Sequence, residues 1–379
     1  MKFHRKQDIY KNLHPKRVLM IYGPRRVGKT TLLEAYLKTL EGKHVDTEIF
    51  ATTGDDFTIR ALFQAEVRKD ILDFARSYKT IAIDEAQSIP SIGLGVKMII
   101  DAFPEKTIIL TGSSSFRLSS ELVEPLTGRH FTMTLFPIAQ SEMTASRFEL
   151  KGALSDFLIY GSYPEVLLEP DKKQKAKILT ELVSSYLFKD VLALEKIKSP
   201  NLLLDIVKCL AFQVGNEVSL NEIARTVKTD VKTVDRYIDV LEKMFVVQRV
   251  RGFSRNLRNE ISKKAKYYFL DNGVRNAAIS QFNDLTLRND VGALWENFIF
   301  MELVKQSALK GEIASYYFWR THTGQEIDII KESNGVLTAI ECKWSSQKVS
   351  APSLWSTAYP ASQFLVIHQE NYLEHLLGA

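Results

Sequence analysis

A glycine-containing loop between a buried strand and an amphipathic helix is the feature that most constrains the fold of this chain. The segment GPRRVGKT, from Gly23 to Thr30, fits the pattern GxxxxGK[ST]. The apolar run VLMIY precedes it, and the helical pattern LLEAYLKTL follows it. This strand–loop–helix context separates a phosphate-binding loop from a chance match. The sequence therefore predicts a nucleotide site on a parallel α/β sheet of the P-loop NTPase type.

Each residue type in this loop has a chemical reason to be there. Gly23 and Gly28 let backbone amides curl around phosphates, and the amino terminus of the helix adds positive potential. Lys29 can reach the β- and γ-phosphates of ATP, and the Thr30 hydroxyl can ligate Mg²⁺. We predict that the whole loop binds the nucleotide, through Gly23, Pro24, Arg25, Arg26, Val27, Gly28, Lys29, Thr30 and Thr31.

Two carboxylates end a second apolar strand in the segment KTIAIDEAQ. At the tip of a strand beside the P-loop strand, Asp84 can hold Mg²⁺ through water. The adjacent Glu85 suits a general base that orients the attacking water. A solvated strand end is the alternative interpretation of the pair. Together with the P-loop, the two acids predict Mg²⁺-dependent ATP hydrolysis.

The bulk composition limits the class of protein. A chain of 379 residues is too long for one simple core, so several domains are expected. Cys209 and Cys342 are the only cysteines and fit neither a disulfide framework nor a zinc site. No apolar run approaches the ~20 residues that span a bilayer, and the first residues lack the apolar core of a secretory signal. We therefore expect a cytoplasmic protein without a membrane segment.

The segments GPRRVGKTTL, IDEAQ, LTGSSS and LTGR, in this order, resemble a large group of prokaryotic AAA-type ATPases. In that family the carboxy-terminal domain looks like a restriction endonuclease, and the resemblance covers nearly the whole chain. It implies a polar sensor near the γ-phosphate at Thr111 or Ser113, where a plain turn is the alternative. It also suggests an arginine finger at Arg129, which would require a homo-oligomer, whereas a structural role is the alternative. The family often carries Gly-Gly-aromatic-Pro-Glu, but this chain reads YGSYPE, with Ser162 in place of the second glycine.

The middle of the chain predicts a winged helix. Apolar residues in SLNEIARTV and in VKTVDRYIDVLEKMF recur at helical spacing, with a tight turn between them, and the strand FVVQRV follows. The next strip, Arg249 to Lys266, holds seven Lys or Arg against the single acid Glu260, which suggests a polyanionic partner. We predict DNA contacts from the second helix at Lys232, Thr233, Arg236 and Tyr237, and backbone contacts from the strip at Arg249, Arg251, Arg255 and Arg258.

Two alternatives stay open for this middle segment. Winged helices in ATPases often serve only for packing or dimerisation, and a basic strip can be a solvated surface loop. Contacts to phosphates alone do not separate DNA from RNA.

Charged residues interrupt two apolar strands near the carboxy terminus. The segment EIDIIKES places Asp328 among isoleucines, and after an Asn-Gly turn the segment LTAIECKWSS places Glu341 and Lys343 on one face. Carboxylates this close repel each other unless a cation lies between them, and a hard divalent ion such as Mg²⁺ or Mn²⁺ is the simplest cation. The Cys342 carbonyl could add a ligand, while Lys343 could activate water or stabilise a scissile phosphate.

An acid, then Glu-x-Lys, preceded by an acid on a helix, resembles the PD-(D/E)xK nuclease core. Glu296, Asp328, Glu341 and Lys343 match its catalytic pattern, although Ile327 stands in place of the proline. The alternative is an internal salt bridge between Glu341 and Lys343 in a former nuclease.

These patterns predict an ATP-hydrolysing AAA-type protein that binds nucleic acid and cleaves or processes it at a nucleotide-gated, metal-dependent site. The alternative is a nucleotide-dependent switch that binds DNA or protein and carries an inactive nuclease-like domain. We divide the chain into a P-loop ATPase core, a helical lid, a winged helix and a restriction-endonuclease-like α/β domain, at residues 1–145, 146–200, 201–265 and 266–379.

Overall fold

A computed structural model describes five stretches of the chain, at residues 2–41, 48–112, 124–185, 199–254 and 264–378. The chain separates into two compact units. The amino-terminal unit consists of Arg5–Phe136 with Lys243–Phe245. The carboxy-terminal unit consists of Met1–His4, Pro137–Glu242 and Val246–Ala379. Apart from Lys243–Phe245, the described residues of the three later sequence segments, 146–200, 201–265 and 266–379, therefore lie in one compact unit.

The amino-terminal unit is built on a five-stranded parallel sheet in the order β2-β3-β4-β1-β5. Its strands are β1 Val18–Tyr22, β2 Ile49–Thr53, β3 Thr80–Asp84, β4 Thr107–Gly112 and β5 His130–Thr134. The central strands β1, β3 and β4 are apolar and buried, as expected for parallel strands that are covered on both faces. The carboxyl ends of these three strands meet at one edge of the sheet, where the P-loop lies.

The helices of this unit complete its core. They are α1 Ile9–Asn12, α2 Lys29–Leu40, α3 Phe57–Gln64, α4 Arg68–Arg76 and α5 Ile92–Ala102. Isoleucine and valine side chains from β1, β3, β4 and α5 form one buried cluster. Gly95 allows α3 and α5 to approach closely, because a Cβ there would lie 2.2 Å from the Phe63 ring.

The carboxy-terminal unit begins with helices and continues with a mixed α/β region. Its helices are α6 Arg147–Gly152, α7 Leu154–Tyr160, α8 Pro164–Leu168, α9 Lys172–Ser185, α10 Pro200–Phe212, α11 Leu220–Thr226, α12 Val231–Lys243, α13 Asn272–Ala278, α14 Val291–Lys310, α15 Ser353–Ala358 and α16 Tyr372–Leu377. Its strands are β6 Glu217–Val218, β7 Val247–Gly252, β8 Ala265–Phe269, β9 Ala314–Arg320, β10 Glu326–Ser333, β11 Val336–Cys342 and β12 Gln363–Ile367. Among the described residues, none of the helices has the length and apolarity to cross a bilayer.

One seven-stranded sheet, in the order β12-β11-β10-β9-β7-β8-β6, runs through the carboxy-terminal unit. Strands β9, β10 and β11 are antiparallel neighbours, and β12 lies parallel to β11. A short parallel pairing of Arg251 and Gly252 in β7 with Tyr317 and Phe318 in β9 joins the two halves of the sheet. The sequence boundary between residues 265 and 266 therefore falls inside a continuous sheet, because β7 uses the free edge of β9 as its partner.

The YGSYPE segment is anchored inside the carboxy-terminal unit. Ser162 is buried, its N–H donates a 2.7 Å hydrogen bond to Asp271, and its hydroxyl accepts one of 3.0 Å from Lys305 on α14. Gly161 has a φ of 71°, and a Cβ there would lie 1.9 Å from Asp271. Lys305 also pairs with Glu302 at 2.8 Å. These hydrogen bonds thus hold the turn that follows α7 against helix α14.

Candidate functional site

The P-loop of the amino-terminal unit has the backbone that its two glycines allow. Gly28 is in the left-handed region with a φ of 91°, and nothing lies within 4 Å of where its Cβ would be. Gly23 has a φ of 151°, and a Cβ there would lie 2.1 Å from the carbonyl oxygen of Leu135. Any other side chain at Gly23 would therefore push the loop away from the strand end.

Lys29 is folded into this loop. It is only 5% exposed, and its Nζ donates to the carbonyl oxygens of Gly23 at 3.1 Å and Pro24 at 2.9 Å. From the amino-terminal segment, the guanidinium of Arg5 donates a 2.5 Å hydrogen bond to the carbonyl of Val27. Sequence reasoning missed Arg5, since no local pattern links it to a loop that follows two elements later.

Asp84 at the end of β3 connects the P-loop to β4. The Thr30 hydroxyl donates to Asp84 Oδ2 at 2.7 Å, and the Thr111 hydroxyl donates to Asp84 Oδ1. The backbone N–H of Glu85 in turn donates to Thr111 at 3.2 Å. A hydroxyl and a carboxylate oxygen side by side are the hard oxygen ligands that Mg²⁺ prefers, so these residues fit the ion. The predicted residues Thr30, Asp84 and Thr111 lie together.

Glu85 follows Asp84 in a left-handed conformation, with a φ of 48°. This backbone turns its side chain away from the direction that the strand would give it. The carboxylate accepts a hydrogen bond from the amide of Gln87. Gln87 is the last residue of the IDEAQ segment, and sequence reasoning overlooked it because the amide carries no charge. This hydrogen bond restrains the Glu85 carboxylate next to Asp84 in the chain.

The other two nucleotide-site predictions have different outcomes. Arg129, which precedes β5, forms a 2.6 Å ion pair with Asp101 on the surface of the amino-terminal unit. Its role as a finger in a second copy stays a prediction. Ser113 lies outside the described residues.

A second group of charged side chains lies within the carboxy-terminal unit. Asp328 on β10 and Glu341 on β11 are both buried. Asp328 accepts a 2.8 Å hydrogen bond from the backbone N–H of Cys342, and Glu341 pairs with Lys343 at 2.7 Å. The register of β10 against β9 shifts between residues 327 and 330, a bulge of the kind that re-aims a side chain.

Glu296 on α14 joins this group through a residue that sequence reasoning missed. The ammonium of Lys266 on β8 lies 2.9 Å from Glu296 and 3.8 Å from Asp328. Tyr268, two residues further along β8, donates a 2.6 Å hydrogen bond to Glu296. Alternation along β8 puts Lys266 and Tyr268 on one face, and that pattern was the available signal. The carboxylates of Glu296 and Asp328 thus share a lysine.

Burial sets the pKa values of this group. It raises the pKa of Glu296 to about 7, against the lowering effect of Lys266. It also raises the pKa of Glu341, with Asp328 adding repulsion. Burial alone would lower the pKa of Lys266, but the charges of Glu296 and Asp328 raise it above its ordinary value. Burial therefore favours the neutral forms of Glu296 and Glu341, and the nearby lysines offset this effect only in part.

The metal ligands predicted here were Asp328, Glu341 and Cys342. In the described part of the chain, no group of three or more His, Cys, Asp or Glu side chains is arranged to hold a metal ion. The predicted ligand of Cys342 is its backbone carbonyl, so the thiol, whose pKa burial raises well above the ordinary value, does not bear on that prediction. Asp328 and Glu341 fit a divalent ion by their chemistry, but each already has a lysine ammonium within 4 Å.

The predicted DNA-contact residues on α12 are only partly accessible. Lys232 and Arg236 are exposed. Thr233 bonds Asp230 at the start of the helix, through its N–H at 2.8 Å and its hydroxyl at 2.7 Å. Tyr237 is 1% exposed, so the prediction that it faces DNA is wrong, because it lies on the apolar face of α12.

Arg249 also differs from its prediction as a phosphate-binding residue. Its guanidinium is largely buried and pairs with three acids of α12, Asp235 at 3.1 Å, Asp239 at 2.8 Å and Glu242 at 3.2 Å. Arg251 is exposed at the end of β7. Arg255 and Arg258 lie outside the described residues.

Comparison with known families identifies the type of domain that contains the first of these sites. Residues 15–144 match a family model described as an AAA domain. Residues 151–285 and 291–373 match two models that are each described as a domain of unknown function, DUF8612 and DUF4143. The parallel sheet and the match to the AAA model confirm the predicted P-loop NTPase fold of the amino-terminal unit.

Relatives of the whole chain are distant. An uncharacterized protein of Haemophilus influenzae is 27% identical over 308 residues, which cover 76% of this chain and 74% of the relative. An uncharacterized protein of Methanocaldococcus jannaschii is 26% identical over 330 residues, which cover 82% of this chain and 71% of the relative. The structure of AMPPCP-bound DnaA from Aquifex aeolicus is 19% identical and covers 60% of this chain and 81% of DnaA. Its TM-score is 0.31, too low to establish shared details.

Proposed function

We propose that the amino-terminal unit hydrolyses ATP in a Mg²⁺-dependent reaction. The observation that carries this proposal is the contact of Asp84 with the hydroxyls of both Thr30 and Thr111. It brings the first turn of α2, the end of β3 and the end of β4 to one point, next to the amino terminus of α2. A triphosphate at that helix terminus would place its γ-phosphate beside these side chains.

The roles of the side chains follow from their positions. Lys29 exchanges its contacts with the loop carbonyls for contacts with the β- and γ-phosphates, so its charge moves to where negative charge develops. Thr30 and Asp84 hold the magnesium ion, which when bound neutralises phosphate charge. Glu85, held by the Gln87 amide, orients water for attack on the γ-phosphorus and accepts its proton.

Phosphate release from ATP tests this function directly. We expect turnover that requires Mg²⁺ and that disappears in the Asp84→Asn variant. The matched control is Asp73→Asn, which changes an exposed aspartate of α4 in the same unit. Equal hydrolysis in the Asp84→Asn variant, or turnover that persists in excess chelator, would contradict the assignment.

We further propose that the carboxy-terminal unit binds nucleic acid and processes it at a cluster of four residues, which we call the carboxylate group. Its members are Glu296, Asp328, Glu341 and Lys343. Support comes from the convergence of Glu296, Asp328, Glu341 and Lys343 from α14, β10 and β11, in the order of the nuclease pattern that the sequence resembles. In this proposal Asp328 and Glu341 hold a divalent ion, Mg²⁺ or Mn²⁺, that polarises the scissile phosphate. Lys343 stabilises the charge that develops on that phosphate.

The elements before this group support nucleic-acid binding. Helix, strand, two helices and two strands follow one another as α10, β6, α11, α12, β7 and β8, which is the order of a winged helix. The exposed side chains of Lys232 and Arg236 lie on α12, the helix that enters the major groove in such modules. They are the residues that we assign to DNA contact.

One assay separates a nuclease from a switch. The full chain is incubated with single-stranded and double-stranded DNA and Mn²⁺, with and without ATP. Cleavage that is lost in Asp328→Ala and Glu341→Ala, and that changes with ATP, supports the nuclease. Intact DNA with ATP-dependent binding would instead support the alternative, a nucleotide-dependent regulator with an inactive nuclease-like site. Mass in solution with and without ATP tests whether the homo-oligomer forms that a finger role for Arg129 requires.

A further inference from the structure

We propose that Lys266 is the resident cation of the carboxylate group, and that its ammonium competes with a divalent ion for Glu296 and Asp328. The proposal rests on the processing function assigned above to this group and adds a residue that the nuclease pattern lacks. Lys266 lies on β8, outside the helix and hairpin that supply the other charged residues.

The contacts of Lys266 carry the proposal. Its ammonium lies 2.9 Å from Glu296 and 3.8 Å from Asp328, so one positive charge serves carboxylates from two different elements. The side chain is only 10% exposed. A buried ammonium requires such partners, and the carboxylates equally require a cation. A divalent ion that approached Asp328 would meet this ammonium within a few ångströms and be repelled by it.

The cavity around Lys266 is rich in acids. Lys266 lines a cavity of about 120 Å³ together with Glu296, Asp328 and two further acids, Glu217 and Glu326. Glu217 lies directly opposite Lys266 in the pairing of β6 with β8. The formal charge of the lining is negative, since four acids face Lys266 and Arg320. Glu217 already pairs with Arg320 at 3.0 Å and with Lys264 at 3.8 Å, so the acids that hold the Lys266 ammonium are Glu296 and Asp328.

The consequence concerns metal loading. With Lys266 between Glu296 and Asp328, the group is neutralised without an ion and binds a divalent ion weakly. Without the ammonium beside it, Asp328 becomes available to a divalent ion, whereas Glu341 keeps its pair with Lys343. Lys266 is thus a positioning residue that sets how readily the group takes a metal.

Mn²⁺ binding to the full chain without nucleotide tests this inference. Titration followed by electron paramagnetic resonance reports bound Mn²⁺ and needs no catalytic activity. We expect the Lys266→Met variant to bind Mn²⁺ at least about tenfold more tightly than the unsubstituted chain. Adding Asp328→Asn should abolish the gain. The matched control is Lys310→Met, at an exposed position at the carboxyl end of α14, and it should leave the affinity unchanged.

An affinity that is unchanged or weaker in Lys266→Met would overturn the proposal. Because that substitution leaves Glu296 without its ion pair, a second comparison guards against a folding defect. The Glu296→Gln variant is compared with Glu296→Gln combined with Lys266→Met, which removes both buried charges together. The same tightening of about tenfold is expected, and its absence in a folded double variant overturns the proposal. Failure of DNA cleavage in every variant would remove the processing function and leave this binding result interpretable.

Discussion

Thr30 and Asp84 are joined by a 2.7 Å hydrogen bond between the first turn of α2 and the end of β3. The two residues are far apart in the sequence, and the parallel order of β1, β4 and β3 brings their elements to the same edge of the sheet. Since Thr111 bonds the other oxygen of Asp84, the carboxylate is oriented before any nucleotide arrives. The site that we propose for phosphate and metal is therefore preorganised.

Substituting Lys29 should weaken the binding of ATP. Lys29→Ala deletes a charged hydrogen-bond donor worth about 1.5–3 kcal/mol, so ATP should bind roughly ten- to a hundredfold more weakly. Equilibrium titration with a fluorescent ATP analogue measures this change. Lys38→Ala, at an exposed position on the same helix α2, is the control and should bind ATP normally. Unaltered affinity in Lys29→Ala would count against the phosphate role.

Substituting Glu85 should separate binding from turnover. Glu85→Gln keeps the size of the side chain and removes the base, so turnover should fall by about 10²–10⁴ while ATP binding persists. Phosphate release and nucleotide titration on the same preparation measure both quantities. Glu105→Gln, at an exposed position of the amino-terminal unit, provides the comparison. A Glu85→Gln variant that hydrolyses ATP at the normal rate would rule out the base assignment.

Glu296 should make stability depend on pH near neutrality. Its pKa is raised from 4.5 to about 7, so its contribution is fully present below about pH 4.5 and is lost as the pH rises through about 7. Relative to Glu296→Gln, the unsubstituted chain should lose up to about 3 kcal/mol of unfolding free energy between pH 5 and pH 8. Urea unfolding at the two pH values measures this difference.

A second glutamate supplies the control for that measurement. The pKa of Glu312 is lowered to about 2, chiefly by its hydrogen bond from Lys331. Its stabilising contribution is lost only as the pH falls toward 2, so the effect of Glu312→Gln should stay constant between pH 5 and pH 8. An effect of Glu296→Gln that is equally constant would show that Glu296 does not titrate in this window.

The exposed side chains of Lys232 and Arg236 on α12 should contribute to DNA affinity, whereas the buried Arg249 should not. Replacing Lys232 and Arg236 together by alanine should weaken binding to all sequences alike and reduce the salt slope by about two, one for each phosphate contact. Fluorescence anisotropy across a salt series measures the slope. An unchanged slope would place the nucleic-acid contact elsewhere.

Arg249→Ala should act instead on folding. It leaves Asp235, Asp239 and Glu242 without their shared cation, which should lower the unfolding free energy by about 1–3 kcal/mol. Urea unfolding measures this loss, and Arg251→Ala, at an exposed position on the same strand, is the control. A loss of DNA affinity in Arg249→Ala without any loss of stability would restore its predicted phosphate role.

The sequence was most informative where chemistry and chain order coincide. The P-loop is a local pattern, and Asp84 was predictable because a carboxylate at the end of an apolar strand has few other purposes. Tyr237 and Arg249 could not be placed in this way. Their environments depend on which face of α12 is buried and on acids that approach from that helix. Lys266 lay in a strip that we predicted to contact a polyanion, with a solvated loop as the alternative, whereas its side chain is buried against Glu296.

The parallel pairing of β7 with β9 affects how this protein can be dissected. A recombinant fragment that started at residue 266 would lose β7 and shorten β8, leaving the backbone donors and acceptors of β9 unpaired along an exposed edge. Such edges recruit other chains and aggregate. Insolubility or inactivity of that fragment would therefore result from the disrupted sheet and would not test the chemistry of its acids.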